Sequence, residues 1–122
     1  MVGNDIIRNA RNQLKEFIVF EVRNLWNFIK KQNPNFGNDE EWVIGCEELL
    51  TNVSCGISIS DGVLSHYEFR YVERIKVTLD DNVFFDLEDC DGEYEWTELS
   101  TDELGRICNS LESTYLGYVQ NK

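Results

Sequence analysis

The sequence predicts an α+β fold, with a long amino-terminal helix, a short second helix, a four-stranded antiparallel meander and a carboxyl-terminal helix packed on the sheet. Three observations carry this reading. The first thirty or so residues repeat their apolar side chains at helical spacing without a Gly or Pro beyond Gly3. Between Cys55 and Trp96 apolar and polar residues alternate, interrupted by the turn pairs Asp61-Gly62 and Asp91-Gly92. From Ser100 onward a capping signature precedes a second helical stripe. At 122 residues, 42% of them apolar, one domain over 1–122 is expected, long enough to form a core without staples.

The first helix is expected from about Asn4 to Gln32, where Asn33-Pro34 stops it. At 100° per residue, Ile6, Ile7, Ala10, Leu14, Phe17, Ile18, Phe20, Val22, Leu25, Phe28 and Ile29 share a broad apolar arc. Arg8, Arg11, Lys15, Arg23 and Lys30 fall opposite. Val19 and Trp26 violate the pattern by sitting among those cations. Either another element covers them, or they form a self-association stripe that makes the chain a homodimer.

Asn35-Phe-Gly-Asn38 reads as a loop. A short helix is expected after it, capped by Asn38 or Asp39, with Glu40 and Glu41 in its first turn and Trp42, Cys46, Leu49 and Val53 at helical spacing. Gly45 weakens it by roughly 1 kcal/mol.

In the sheet, Cys55, Ile57 and Ile59 lead through Asp61-Gly62 into the clearest strand. There Tyr67, Phe69, Tyr71, Ile75, Val77 and Leu79 are expected on one face, with Val72 and Glu73 as exceptions. A three-residue loop at Asp80-Asp81-Asn82 sets Leu79 opposite Val83, Val77 opposite Phe85 and Ile75 opposite Leu87. It places Lys76 across from Asp86, Arg74 across from Glu88 and Asn82 in the left-handed position. Tyr94 and Trp96 supply the last strand, with Leu87 near Trp96. Ser100 to Glu103 is a capping box, and Leu104, Ile107, Cys108, Leu111, Tyr115 and Tyr118 form the stripe of a helix from about Thr101 to Gly117 across the sheet.

Charge is unevenly placed. The net charge is −12, yet residues 1–33 hold six basic and three acidic groups, +3, so the remainder carries −15. Asp80 to Glu103 contains eleven carboxylates and no Lys or Arg. Such a field repels phosphates, which argues against direct nucleic-acid binding, and attracts a basic protein surface. No window approaches the roughly 20 apolar residues of a membrane span, and no signal-peptide core opens the chain, so a cytoplasmic location with reduced thiols is expected.

Signals for chemistry are weak. Read as a calcium loop, Leu87 to Glu98 places Asp89, Asp91, Gly92 and Glu98 correctly but has Leu87 at the first ligand position. His66 is the one histidine, and Cys55 is its best potential nucleophilic partner across the hairpin. Cys46, Cys55, Cys90 and Cys108, spaced 9, 35 and 18 apart, fit no zinc motif. No catalytic residue, cofactor or metal is therefore assigned. The expected function is a non-enzymatic acidic interaction module, an inhibitor or accessory protein. It would meet a basic protein partner through Asp80, Asp81, Glu88, Asp89, Asp91, Glu93 and Glu95. Self-assembly through Val19 and Trp26, and an enzyme built around His66, are the alternatives.

Overall fold

A computed structural model describes residues 2–37 and 41–120, with side chains from Asp5 onward. Helix α1 spans Val2–Gln32, and Pro34 ends it as expected: the Asn33 N–H closes on the Ile29 carbonyl at 2.8 Å, and the Phe36 N–H closes a turn on the Asn33 carbonyl at 2.9 Å. Strands β1 (Trp42–Gly45), β2 (Ser54–Asp61), β3 (Leu64–Val77), β4 (Val83–Leu87) and β5 (Tyr94–Glu95) form an antiparallel sheet. Helix α2 spans Thr101–Gln120. The class is α+β.

Four expectations need correction. The short second helix is replaced by β1 and a turn; Asn38, Asp39 and Glu40, its expected start, lie outside the described residues. Trp42-Val-Ile44 is an aromatic and β-branched run. Pairing it with β3 sets Ile44 opposite Ile75, both fully buried, which outweighs a spacing that was only incidentally helical. The sheet consequently has five strands in the order β1-β3-β4-β5, with β2 pairing the first half of β3.

The second correction concerns β3. A bulge between Val72 and Arg74 shifts the alternation by one residue. Here β2 ends and β1 begins: Val72 donates its N–H to the Val53 carbonyl at 2.7 Å, while the Glu73 carbonyl accepts from the Cys46 N–H at 2.8 Å. Val72, Ile75 and Val77 therefore face the core, while Tyr67, Phe69 and Tyr71 turn outward at 60, 64 and 52% exposure.

The third is the β3–β4 register, which slips by two. Val77 opposes Val83 and Ile75 opposes Phe85, so Thr78 to Asn82 form a five-residue loop and Leu79 stands out in solvent. The Thr78 hydroxyl accepts from the Asn82 N–H at 3.1 Å, and Asp81, not Asn82, takes the left-handed position with φ 64°. Arg74 pairs with Asp86 at 3.0 Å instead of Glu88, and Lys76 faces Phe84. A slip of two preserves the faces, so Val83, Phe85 and Leu87 are buried as their alternation requires. The last strand is also shorter than expected: Tyr94 opposes Phe85, and Trp96 opens a single 3-10 turn.

Fourth, α1 is rolled relative to the expected arc. It crosses β1, β3 and β4, while α2 packs along it and reaches the sheet through β2. Flanked on two sides, α1 buries Ile18, Val22 and Leu25 completely, together with Val19 at 7% and Trp26 at 8%. The chain reversal after α1 closes over Trp26: Phe36 lies 6.1 Å from its ring, and Gly37, at φ 69°, approaches so closely that a Cβ would sit 2.7 Å from the indole nitrogen. Phe20, expected inside, is 60% exposed. The stripe of Val19 and Trp26 is thus core and offers nothing to a second copy.

The capping box at Ser100 forms as anticipated. The Glu103 N–H donates to the Ser100 hydroxyl at 3.2 Å, and the Ser100 N–H donates to the Glu103 carboxylate at 2.8 Å. That carboxylate's second oxygen accepts from the Gly56 N–H, which ties the start of α2 to the outer edge of β2. Further along, the Thr114 hydroxyl accepts from the Leu50 N–H at 3.1 Å, Ser110 and Thr51 share a hydrogen bond at 2.8 Å, and the Tyr118 hydroxyl donates to the Glu48 carbonyl at 2.9 Å. Two buried hydroxyls on α2 are in this way satisfied by the segment that joins β1 to β2.

Candidate interaction surface

The acidic side chains singled out by charge do not form one rim. Asp80 and Asp81 lie in the loop before β4, and Glu88, Asp89 and Asp91 lie in the turn after it. Five residues of strand, roughly 17 Å, separate the two groups. Glu93 and Glu95 flank and enter β5.

Most of these carboxylates already have internal partners. The Arg23 guanidinium reaches from α1 to Asp81 at 2.7 Å and to the Thr78 carbonyl at 3.0 Å, with its plane 4.4 Å from the Trp42 ring centroid. Asp80 accepts from the Thr78 hydroxyl, which holds its carboxyl below the usual range. Glu93 pairs with Lys76 at 2.5 Å, and the same ammonium lies 3.9 Å from Glu41. The Glu93 carboxylate in turn raises the Lys76 ammonium above its ordinary value. Glu95 caps the 3-10 turn reciprocally with Glu98, donating its N–H to that carboxylate at 2.8 Å. Glu88, Asp89 and Asp91 remain exposed and form no ion pair among the described residues. Their turn is closed by the Cys90 N–H donating to the Leu87 carbonyl at 3.2 Å, with Asp89 at φ 58° and Gly92 at φ 81°.

The basic face of α1 is not a solvated rod. Arg11 donates to the Thr97 carbonyl at 3.2 Å and lies over the Trp96 ring with Lys15, each 5.9 Å from its centroid. Lys30 donates to the Phe36 carbonyl at 2.7 Å and stands 5.7 Å over Trp26. These cations tie the helix to the loops at the sheet's ends. One signal for this was present in the sequence: Trp26 and Val19 among the cations mark a side that packs.

The other candidate chemistry does not assemble. Cys55 opposes Arg70, while His66 opposes Ile59, four residues and roughly 13 Å along the strand. His66 instead contacts Glu68 at 2.7 Å, and Glu68 also pairs with Arg70. Burial pushes the Cys55 thiol up to about 12, far from a nucleophilic thiolate. Leu87, the first position of the calcium-loop pattern, lies in the core. Among the described residues no group of three His, Cys, Asp or Glu side chains could hold a metal ion, and no helix is long and apolar enough to cross a membrane.

Periodicity missed the feature that most distinguishes the surface. Tyr67, Phe69 and Tyr71 line the outer face of the β2–β3 ribbon, Tyr67 and Phe69 edge to face with centroids 5.6 Å apart. The Val72-Glu73 break in alternation was its one trace in the sequence. Comparison with protein families, with curated proteins and with solved structures finds no match.

Proposed function

We propose that this chain is a non-enzymatic docking protein, an inhibitor or accessory factor, that presents fixed carboxylates to a basic protein surface in the cytoplasm. One observation carries the reading. Arg11, Arg23, Lys30, Arg74 and Lys76 are engaged internally, whereas Glu88, Asp89 and Asp91 stand exposed on the turn after β4 and form no ion pair among the described residues. In a −12 chain, negative charge at that turn stays open to a cationic partner and accelerates its association. An enzyme that grips nucleic acid is one such partner, because carboxylates can occupy the positions of phosphates. The four free cysteines suit a reducing compartment.

Affinity capture at low and moderate salt tests this with wild type and the triple variant Glu88→Gln/Asp89→Asn/Asp91→Asn. Asn tolerates the left-handed backbone at position 89, so the turn is retained. Basic partners held at low salt by wild type and released by the variant are expected. Binding indifferent to both salt and the variant sinks the proposal.

A further inference from the structure

We propose that the cleft between α2 and the start of β2 binds a small phosphate monoester, its phosphate group held by Arg106 and the Ser54 N–H. The cleft measures about 290 Å³, with Asn52 and Ser54 on one wall and Arg106, Asn109 and Ser113 on the other. Its walls are fixed to each other, because the Thr51 and Ser110 hydroxyls share a hydrogen bond at 2.8 Å. No carboxylate lines it, in a chain that holds 23. Four other clefts among the described residues each include at least one.

The same seam, one helical turn away, shows what this strand edge accepts. The Val72 N–H donates to the Val53 carbonyl, which makes these two a hydrogen-bonded pair of the β2–β3 ladder. Ser54 and Gly56 therefore both turn their N–H groups to the outer edge, where α2 lies. The Glu103 carboxylate accepts from Gly56 there. The contacts of Gly56 with Glu103 and of Thr51 with Ser110 bracket the seam, so Ser54 stands level with Arg106. At this level the edge amide has no hydrogen-bond partner among the described residues, and the helix offers a cation in place of a carboxylate. An oxyanion from outside completes the arrangement that Glu103 completes by itself.

Arg106 forms no ion pair or hydrogen bond among the described residues. Burial and then Glu103 push the Cys55 thiol up, and Arg106 is the cation close enough to pull against them, which places its guanidinium on the β2 side of the helix. A guanidinium fork matches two phosphate oxygens, and the Ser54 N–H, the Asn109 amide and the Ser113 hydroxyl remain for the third. A carboxylate has two oxygens and leaves those donors idle. The volume is at the low end for small-ligand pockets and leaves room for a short polar body beside the phosphate. The net charge of −12 opposes any anion, but a single phosphate meets that field once and a nucleic-acid strand at every nucleotide.

Titration of the isotope-labelled full chain with inorganic phosphate, glycerol phosphate and acetate, at fixed pH and ionic strength, is the test. Saturating shifts of the Ser54 amide and of the amides from Arg106 to Ser113 are expected, with glycerol phosphate binding more tightly than inorganic phosphate. Arg106→Gln is expected to weaken binding at least tenfold with an unchanged circular dichroism spectrum, and Asn109→Ala/Ser113→Ala severalfold. Lys31→Gln, an exposed cation at the far end of α1, is expected to leave binding unchanged. Shifts that never saturate, an Arg106→Gln protein that binds as wild type, or a Lys31→Gln protein weakened as much as Arg106→Gln overturns the proposal. Acetate binding as tightly as phosphate overturns it too, and so does inorganic phosphate binding more tightly than the monoester. The cleft shares no residue with the Glu88 to Asp91 turn, so its failure leaves the docking reading standing.

Discussion

Arg23 shows how little of an ion pair's worth lies in the pair. Asp81 is more than half exposed, so the Coulombic contact is worth at most about 1 kcal/mol, whereas the guanidinium also satisfies the Thr78 carbonyl and covers Trp42. Asp81→Asn, which keeps a residue tolerant of φ 64°, is expected to cost less than about 1 kcal/mol in urea unfolding. Arg23→Ala is expected to cost about 2 kcal/mol. Equal losses would show the salt bridge to be the main term. Glu103 is the opposite case, a buried carboxylate with both oxygens occupied by backbone donors. Glu103→Ala orphans the Gly56 and Ser100 N–H groups and is expected to destabilise by about 2–3 kcal/mol, with lost amide protection at Gly56 in hydrogen exchange. The capping half of this role was legible from Ser-Thr-Asp-Glu. The contact with Gly56 was not, because it joins residues 47 apart in the chain.

Among the elements, α1 gives the sharpest reversal of expectation. Its existence and its end at Pro34 follow from local sequence, but which arc faces inward depends on what flanks it. Two flanking layers, α2 on one side and the sheet on the other, bury Val19 and leave Phe20 out. Val19→Asp is therefore expected to destabilise by more than about 3 kcal/mol and Phe20→Asp by no more than about 0.5 kcal/mol, read from urea midpoints. The ordering predicted by the apolar arc alone is the reverse. In β3 the same lesson appears as a bulge. Alternation correctly located the strand and the inward set Ile75, Val77, Val83, Phe85 and Leu87. It placed Tyr67, Phe69 and Tyr71 on the wrong side, because the shift at Val72 arises where two different strands take over the same edge.

At the scale of the whole molecule, alkali is expected to destabilise the fold. Burial, with Glu47 beside it, raises Glu48 to about 7 despite the hydrogen bond from the Gly45 N–H, and burial together with Glu112 raises Glu21. Both carboxyls sit above their unfolded value of 4.5, so folding favours their protonated forms. The Glu48 contribution is favourable at low pH and is lost as pH rises from 4.5 through about 7, and that of Glu21 is lost in the same direction. Repulsion within a −12 chain acts in the same direction. The urea midpoint is expected to be higher near about pH 5.5 than near about pH 8, and Glu48→Gln to flatten the difference. A midpoint that rises with pH would contradict the assigned environment of Glu48.

Composition and periodicity by themselves determined the α+β class, both helices, the capping box at Ser100, the inward-facing core of β3 and β4, and the surplus of negative charge. Each of these depends on neighbours within a few residues or on sums over the chain. Tertiary structure alone decided that Trp42 to Gly45 is a strand, that Val19 and Trp26 are core, and that the cations of α1 are engaged with the sheet's loops. It also decided that three aromatic rings face outward. These depend on partners tens of residues away, and a local preference worth a fraction of a kcal/mol gives way when burying a side chain such as Ile44 against Ile75 contributes about 2 kcal/mol.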